Sequence, residues 1–114
     1  MKVKQQRLNR LIVKHIAQII QYELNDPDLG LVTISEAEVS ADLSFCKVYV
    51  MISGNKRQKH RSLEALNHAS GYIRSSLAKE LMIRKTPEIK FYYDDTLDKA
   101  ERIDELLALG NNQK

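Results

Sequence analysis

Tryptophan is absent from the 114-residue sequence, phenylalanine occurs twice and cysteine once. Aliphatic side chains must therefore fill the core, and no disulfide can close within the chain. The lone Cys46 fits a reducing, cytoplasmic compartment. No apolar run approaches the roughly 20 residues that a membrane-spanning helix needs. The stretch from Met1 to Arg10 is basic and polar with no apolar segment after it, so no secretory signal is expected. With four glycines and two prolines, the chain holds no low-complexity stretch, internal repeat or linker.

The signatures of catalysis are missing as well. His15, His60, His68 and Cys46 do not cluster at the spacings of a metal site. No glycine-rich phosphate loop is present. Glu36 and Glu38 could share a strand face as paired carboxylates do, but a solvated face explains them. Asp94, Asp95 and Asp98 read as the acidic start of a helix rather than as a magnesium site. The expectation is a protein that is not an enzyme and takes no cofactor, metal or small-molecule substrate.

What is present suits one soluble domain. Apolar residues make up 43% and charged residues 29% of the chain, enough for both a core and a solvated surface. We place the domain over 1–110 and read 111–114 as a frayed tail. The net charge of +3 conceals strong segregation. Lys2, Lys4, Arg7, Arg10 and Lys14 occupy the first twenty residues without an acid. Glu23, Asp26, Asp28, Glu36, Glu38 and Asp42 then follow without a base. Residues 47–90 carry ten bases against Glu64, Glu80 and Glu88, and the remainder is acidic. Folded onto one domain, these blocks make a basic face with an acidic rear, which suits a polyanionic partner; an ordinary solvated surface is the plainer alternative.

Periodicity sets the elements. Leu8, Ile12, Ile16, Ile19 and Ile20 mark one face of a first helix, which Asn25-Asp26-Pro27 ends. Leu31–Ser40 reads as a strand with Val32 and Ile34 on one face. The apolar parity then slips to Ala37 and Val39, which predicts a bulge near 35–37. Ala41-Asp42-Leu43-Ser44 reads as a hairpin connection. Phe45–Ser53 is the clearest strand, Cys46, Val48, Val50 and Ile52 alternating with Phe45, Lys47, Tyr49 and Met51. Gly54–Arg61 reads as a basic loop, with a frayed helix start as the alternative. Two helices follow, Ser62–His68 and Tyr72–Met82, with Leu63, Leu66, Ile73, Leu77 and Leu81 inward. Ala69-Ser70-Gly71 forms a kink between them. Glu88–Tyr93 is a third strand. Asp94-Asp95-Thr96 caps a last helix, Leu97–Leu109, with Gly110 at its C-terminus. The fold class is α+β: one three-stranded sheet with helices on one side.

Two features point to nucleic acid. Arg7, Arg10 and Lys14 fall at i, i+3 and i+7, one stripe opposite the apolar face. Bases in the N-terminal half of a helix oppose its dipole, so a partner that neutralises them supplies a reason for the arrangement. The second feature is the kink. A junction of small residues, Ala69, Ser70 and Gly71, lets a phosphate backbone approach, and Arg74, Lys79, Arg84, Lys85 and Lys90 follow it. Two helices meeting at Ala-x-Gly after a β-hairpin resemble the type II KH fold, α-β-β-α-kink-α-β. Ala-x-Gly stands here where that fold usually carries a Gly-x-x-Gly loop.

From about Arg7 to Leu109 the chain resembles the ribosome-binding factor A family. The carriers are Glu23-Leu24-Asn25-Asp26-Pro27, Val32-Thr33-Ile34, Val39-Ser40-Ala41-Asp42-Leu43-Ser44 and Lys47-Val48-Tyr49-Val50. They continue with Leu63-Glu64-Ala65-Leu66-Asn67, Ala69-Ser70-Gly71-Tyr72-Ile73-Arg74, Arg84-Lys85-Thr86-Pro87-Glu88 and Arg102-Ile103-Asp104-Glu105-Leu106-Leu107. The chain departs from the family at Asp28, where a base is common, and at Cys46, where a small Ala is common. The resemblance implies a monomeric, KH-like protein that binds rRNA on free small (30S) ribosomal subunits. It implies a role in late subunit maturation and processing of the 16S rRNA, without a cofactor. A generic KH-like binder of single-stranded RNA and a protein-interaction module using the acidic rear are the competing readings. Steep salt dependence would separate RNA binding from the latter.

Overall fold

The computed structural model describes residues 3–96, with side chains from residue 5 onward. The expected helix over 97–109 and the tail at 110–114 lie outside the described residues. The order is α1 (Val3–Tyr22), β1 (Val32–Val39), β2 (Phe45–Ile52), α2 (Lys56–His68), α3 (Ser70–Leu81) and β3 (Glu88–Tyr93). This mixed α+β arrangement is the α-β-β-α-kink-α-β order expected from the sequence.

Ile12, Ile16 and Ile19 of α1 are buried, as the helical period requires. The helix ends with Glu23 N–H and Leu24 N–H both donating to Ile19 O. Asp26 then closes a short Asx turn by accepting from Asp28 N–H at 2.9 Å. The sheet order is β1-β2-β3. β1 runs antiparallel to β2, and β3 runs parallel to β2, with α2 and α3 forming the crossover that a parallel pair needs.

The predicted bulge is present: the register shifts between Ile34 and Glu36. Ser35 is the extra residue, and its Oγ lies 3.0 Å from Tyr49 O and 2.7 Å from Asp94 Oδ2. The slip lets Ile34 and Ala37 share the core face although three positions separate them. Ala37, Val39, Cys46, Val48, Val50, Ile52, Ile89 and Phe91 join Ile12, Ile16, Ile19, Leu66, Ile73 and Leu77 in one cluster. Each large side chain removed from water there contributes about 1.5–3 kcal/mol. Burial holds the Cys46 thiol up to a pKa of about 11, so it acts as a small apolar side chain. Three polar side chains tie distant elements through the core margin. Asn9 Oδ1 accepts from Val39 N–H at 3.0 Å. Ser62 Oγ accepts from Gly30 N–H at 2.9 Å and donates to Asp28 O at 3.1 Å. Asn67 accepts from Phe91 N–H at 2.8 Å and donates Nδ2–H to Phe91 O at 3.2 Å.

Two sequence expectations are corrected. The basic run Gly54–Arg61 is not a loop: α2 starts at Lys56, six residues before the expected Ser62. Asn55 and Gln58 form a capping box, Gln58 N–H donating to Asn55 Oδ1 at 2.9 Å and Asn55 N–H to Gln58 Oε1 at 2.8 Å. The kink, in turn, is confined to Ala69 (φ −86°, ψ 2°), which is both the last cap of α2 and the first of α3. Gly71 already lies in the first turn of α3.

Candidate nucleic-acid interface

The helix junction packs beside the edge of β3 that faces away from β2, and a cleft of about 480 Å³ opens between them. In a parallel ladder alternate residues turn their amides away from the neighbouring strand. Glu88 N–H donates to Ser44 O and Asp94 N–H to Val50 O, so Ile89, Phe91 and Tyr93 point theirs outward. The Asn67 amide takes both groups of Phe91. Ile89, one step back, lines the cleft with Asn67, Ser70, Gly71, Arg74 and Lys90. A Cβ built at Gly71 would meet nothing within 4 Å, so this side of the cleft is bare backbone open to solvent.

The structure gathers Ser70, Gly71, Arg74 and Lys90 around this cleft, with Ala69 as the joint behind them. The Arg74 guanidinium donates from Nε and Nη2 to Thr86 O at 3.1 and 3.0 Å. It therefore pins the chain entering β3 as well as facing the cleft. Lys90 Nζ lies 5.4 Å from the centroid of the Tyr92 ring, a cation–π contact. Tyr92 in turn lies 5.9 Å from Tyr49 across the strand pair. Arg84 and Lys85 are exposed on the connection between α3 and β3. Lys85 is near enough to Asp42 of the hairpin to help hold that carboxyl down, behind the hydrogen bonds from Ser44 and Ser40. Lys79 is exposed in the last turn of α3, roughly 12 Å along the helix from Gly71 at 1.5 Å per residue.

Arg7, Arg10 and Lys14 are all exposed on α1, as the stripe requires. They do not line the kink cleft. Arg10 borders a different depression of about 630 Å³, between α1 and the bulged part of β1, with Asn9, Ser35 and Glu36. The sequence-derived residues thus fall into a kink-edge group and an α1 group. Apart from both groups, Tyr72 of α3 donates its OH to Glu23 Oε1, just past the end of α1, at 2.6 Å. That bond favours the protonated phenol and, with slight desolvation and the nearby charge, raises the Tyr72 pKa.

Sequence reasoning missed Asn67, whose bracket shapes the cleft. Its partner lies 24 residues away, and no local pattern announces such a pair. It also set aside Lys56, Arg57 and Arg61 as loop residues. The signal was available in Asn55 and Gln58, an N-cap residue and its partner three positions on. Among the described residues no group of three or more His, Cys, Asp or Glu could hold a metal ion, and no helix is long and apolar enough to cross a membrane.

Known proteins share this arrangement. A ribosome-binding factor A of Macrococcus caseolyticus (strain JCSC5402) is 35% identical over 114 residues, covering 100% of both chains. The crystal structure of ribosome-binding factor A from Thermus thermophilus superposes with a TM-score of 0.70 at 28% identity, covering 78% of this chain and 93% of that one. A homology model of the Thermus thermophilus factor, fitted into the cryo-electron microscopy map of a 30S complex, superposes with a TM-score of 0.60 at 25% identity, covering 83% and 96%. The family model for ribosome-binding factor A matches residues 4–107, and the chain belongs to that family.

Proposed function

We propose that the protein binds rRNA on free small ribosomal subunits and assists their late maturation, including processing of the 16S rRNA, without catalysing a reaction. The observation that carries this reading is family membership over residues 4–107, joined to the relative fitted into a 30S complex. The surface chemistry supports it. The exposed bases Arg7, Arg10 and Lys14 suit phosphates. The glycine-walled cleft beside Arg74 and Lys90 suits the close approach of a nucleic-acid backbone. In this reading one KH-like domain, 1–110, acts as a monomer, and the protein neither alters a covalent bond nor needs a cofactor.

Sedimentation of a cell lysate through a density gradient tests it. The protein is expected with free small subunits and largely absent from assembled ribosomes. Recovery only in the ribosome-free fraction, across a range of salt concentrations, would overturn the proposal.

A further inference from the structure

The exposed face of α2 presents bases at i, i+1, i+4 and i+5: Lys56, Arg57, His60 and Arg61. At 3.6 residues per turn these four span an arc of about 140°. The arc lies opposite Ser62, Ala65 and Leu66, the residues that α2 buries. Glu64 closes the C-terminal end of this face and is taken by His60 Nε2 at 2.8 Å. Among the described residues no carboxylate pairs with Lys56, Arg57 or Arg61.

Local structure holds this array in place against its own electrostatics. The first turn of α2 contains no acid, so its bases oppose the helix dipole. The capping box of Asn55 and Gln58 offsets that opposition, and Gly54 makes the box possible. Gly54 sits at φ +125°, and a Cβ there would meet Gln58 Oε1 at 2.5 Å. The Ser62 hydroxyl then fastens the helix to the 28–30 turn.

The array is separate from the α1 stripe. α1 is anchored through Asn9 at Val39, the last residue of β1. α2 begins three residues after Ser53, beyond Ile52, which pairs with Val32 at the first residue of β1. Six steps of 3.3 Å along the unbulged partner β2, from Cys46 to Ile52, put about 20 Å between those two levels. α1 also lies over β1, whereas Asn67 of α2 is bonded to β3, roughly 10 Å across the sheet.

We propose that Lys56, Arg57 and Arg61 form a second phosphate-binding surface, distinct from the α1 stripe, so that one domain holds two segments of RNA at once. The proposal rests on the RNA-binding reading above and adds bridging to it. Its ligand is the phosphodiester backbone, because the Lys56 ammonium and the Arg57 and Arg61 guanidinium groups are all matched by phosphate oxygens, which every RNA segment presents.

Two short RNA duplexes, one carrying a donor dye and the other an acceptor, test it on the full chain. The parent should bring them together at low salt and give energy transfer. The variant combining K56Q, R57Q and R61Q should still bind one duplex but lose the transfer. Its plot of log affinity against log salt should be shallower by about 0.9 for each phosphate that is no longer neutralised. Replacing Arg57 and Arg61 by Lys keeps the charge and should keep the transfer, which guards against a trivial folding defect. Transfer and slope equal to the parent's in the Gln variant would overturn the proposal. So would unchanged RNA binding combined with release from small subunits, which would assign the face to an acidic protein partner. Failure of the parent to bind RNA or small subunits at all would instead overturn the RNA-binding reading itself.

Discussion

Asp42 shows how much a single exposed carboxylate can organise. Its Oδ1 accepts from Ser40 Oγ at 2.8 Å, Ser44 N–H at 3.1 Å and Ser44 Oγ at 2.6 Å. Leu43 beside it adopts φ 60°, a left-handed conformation that a bulky residue accepts only when its surroundings enforce it. The hydrogen bonds from Ser44 and then Ser40 hold the Asp42 pKa down from 3.8 to about 2. The folded value lies below the unfolded one, so this stabilisation is complete above about pH 4 and is lost as pH falls towards 2. Amide exchange at Ser44 should therefore be slower in the parent than in Asp42→Asn near neutral pH, and the difference should vanish at the acidic end of that window. A difference that is the same at both ends would show that the charge does not hold the turn. Residue-level burial in the strands was legible beforehand, because alternation marked Cys46, Val48, Val50 and Ile52 as one face. The polar ties were not. Asn9, Ser62 and Asn67 look like ordinary surface residues until the fold brings Val39, Gly30 and Phe91 to them.

At the scale of elements, the helix junction separates two properties that glycine usually combines. The change of direction is made by Ala69, while Gly71 sits in a helical turn with open space where its side chain would be. Glycine in a helix is less stable than alanine by about 0.5–1 kcal/mol. Nothing in the packing requires Gly71, so its place in the wall of the cleft is the remaining reason for it. The variant Gly71→Ala should melt at or above the parent temperature, and it should bind small-subunit RNA roughly tenfold more weakly, about 1.4 kcal/mol. Thermal melts and binding titrations check both halves, and unchanged affinity would remove Gly71 from the interface. The sequence located this junction to within three residues, since the apolar periods on either side are long enough to read. It misplaced the start of α2 because Gly54–Arg61 contains no apolar residue to set a period. The bulge at Ser35, by contrast, was visible as a slip of parity between Ile34 and Ala37.

Across the whole molecule, charge segregated along the chain does not stay segregated in space: Arg10 borders the same depression as Glu36, and Lys85 lies near Asp42. The sequence could not give the strand order, because only the fold shows that β3 pairs in parallel with β2 while β1 takes the other edge. Nor could it show that Arg10 borders a depression on β1 whereas Arg74 and Lys90 border one on β3. That separation makes the α1 stripe testable by itself. Arg7, Arg10 and Lys14 are exposed, and α1 has no acid in its first turn and no base in its last, the reverse of what the helix dipole favours. If the three contact phosphates, changing all three to Gln should weaken rRNA binding and flatten its salt dependence by on the order of one unit per phosphate released. Gln has nearly the helix propensity of the residues it replaces. Stability should therefore hold, because α1 starts at Val3 and none of the three lies in its first turn, where the dipole acts most. Thermal melts and salt-titrated binding of parent and variant decide the matter. A shallower slope with an unchanged melting temperature assigns the stripe to the RNA interface. An unchanged slope and affinity would return it to solvent and leave the cleft beside Gly71 and the face of α2 as the surfaces that RNA contacts.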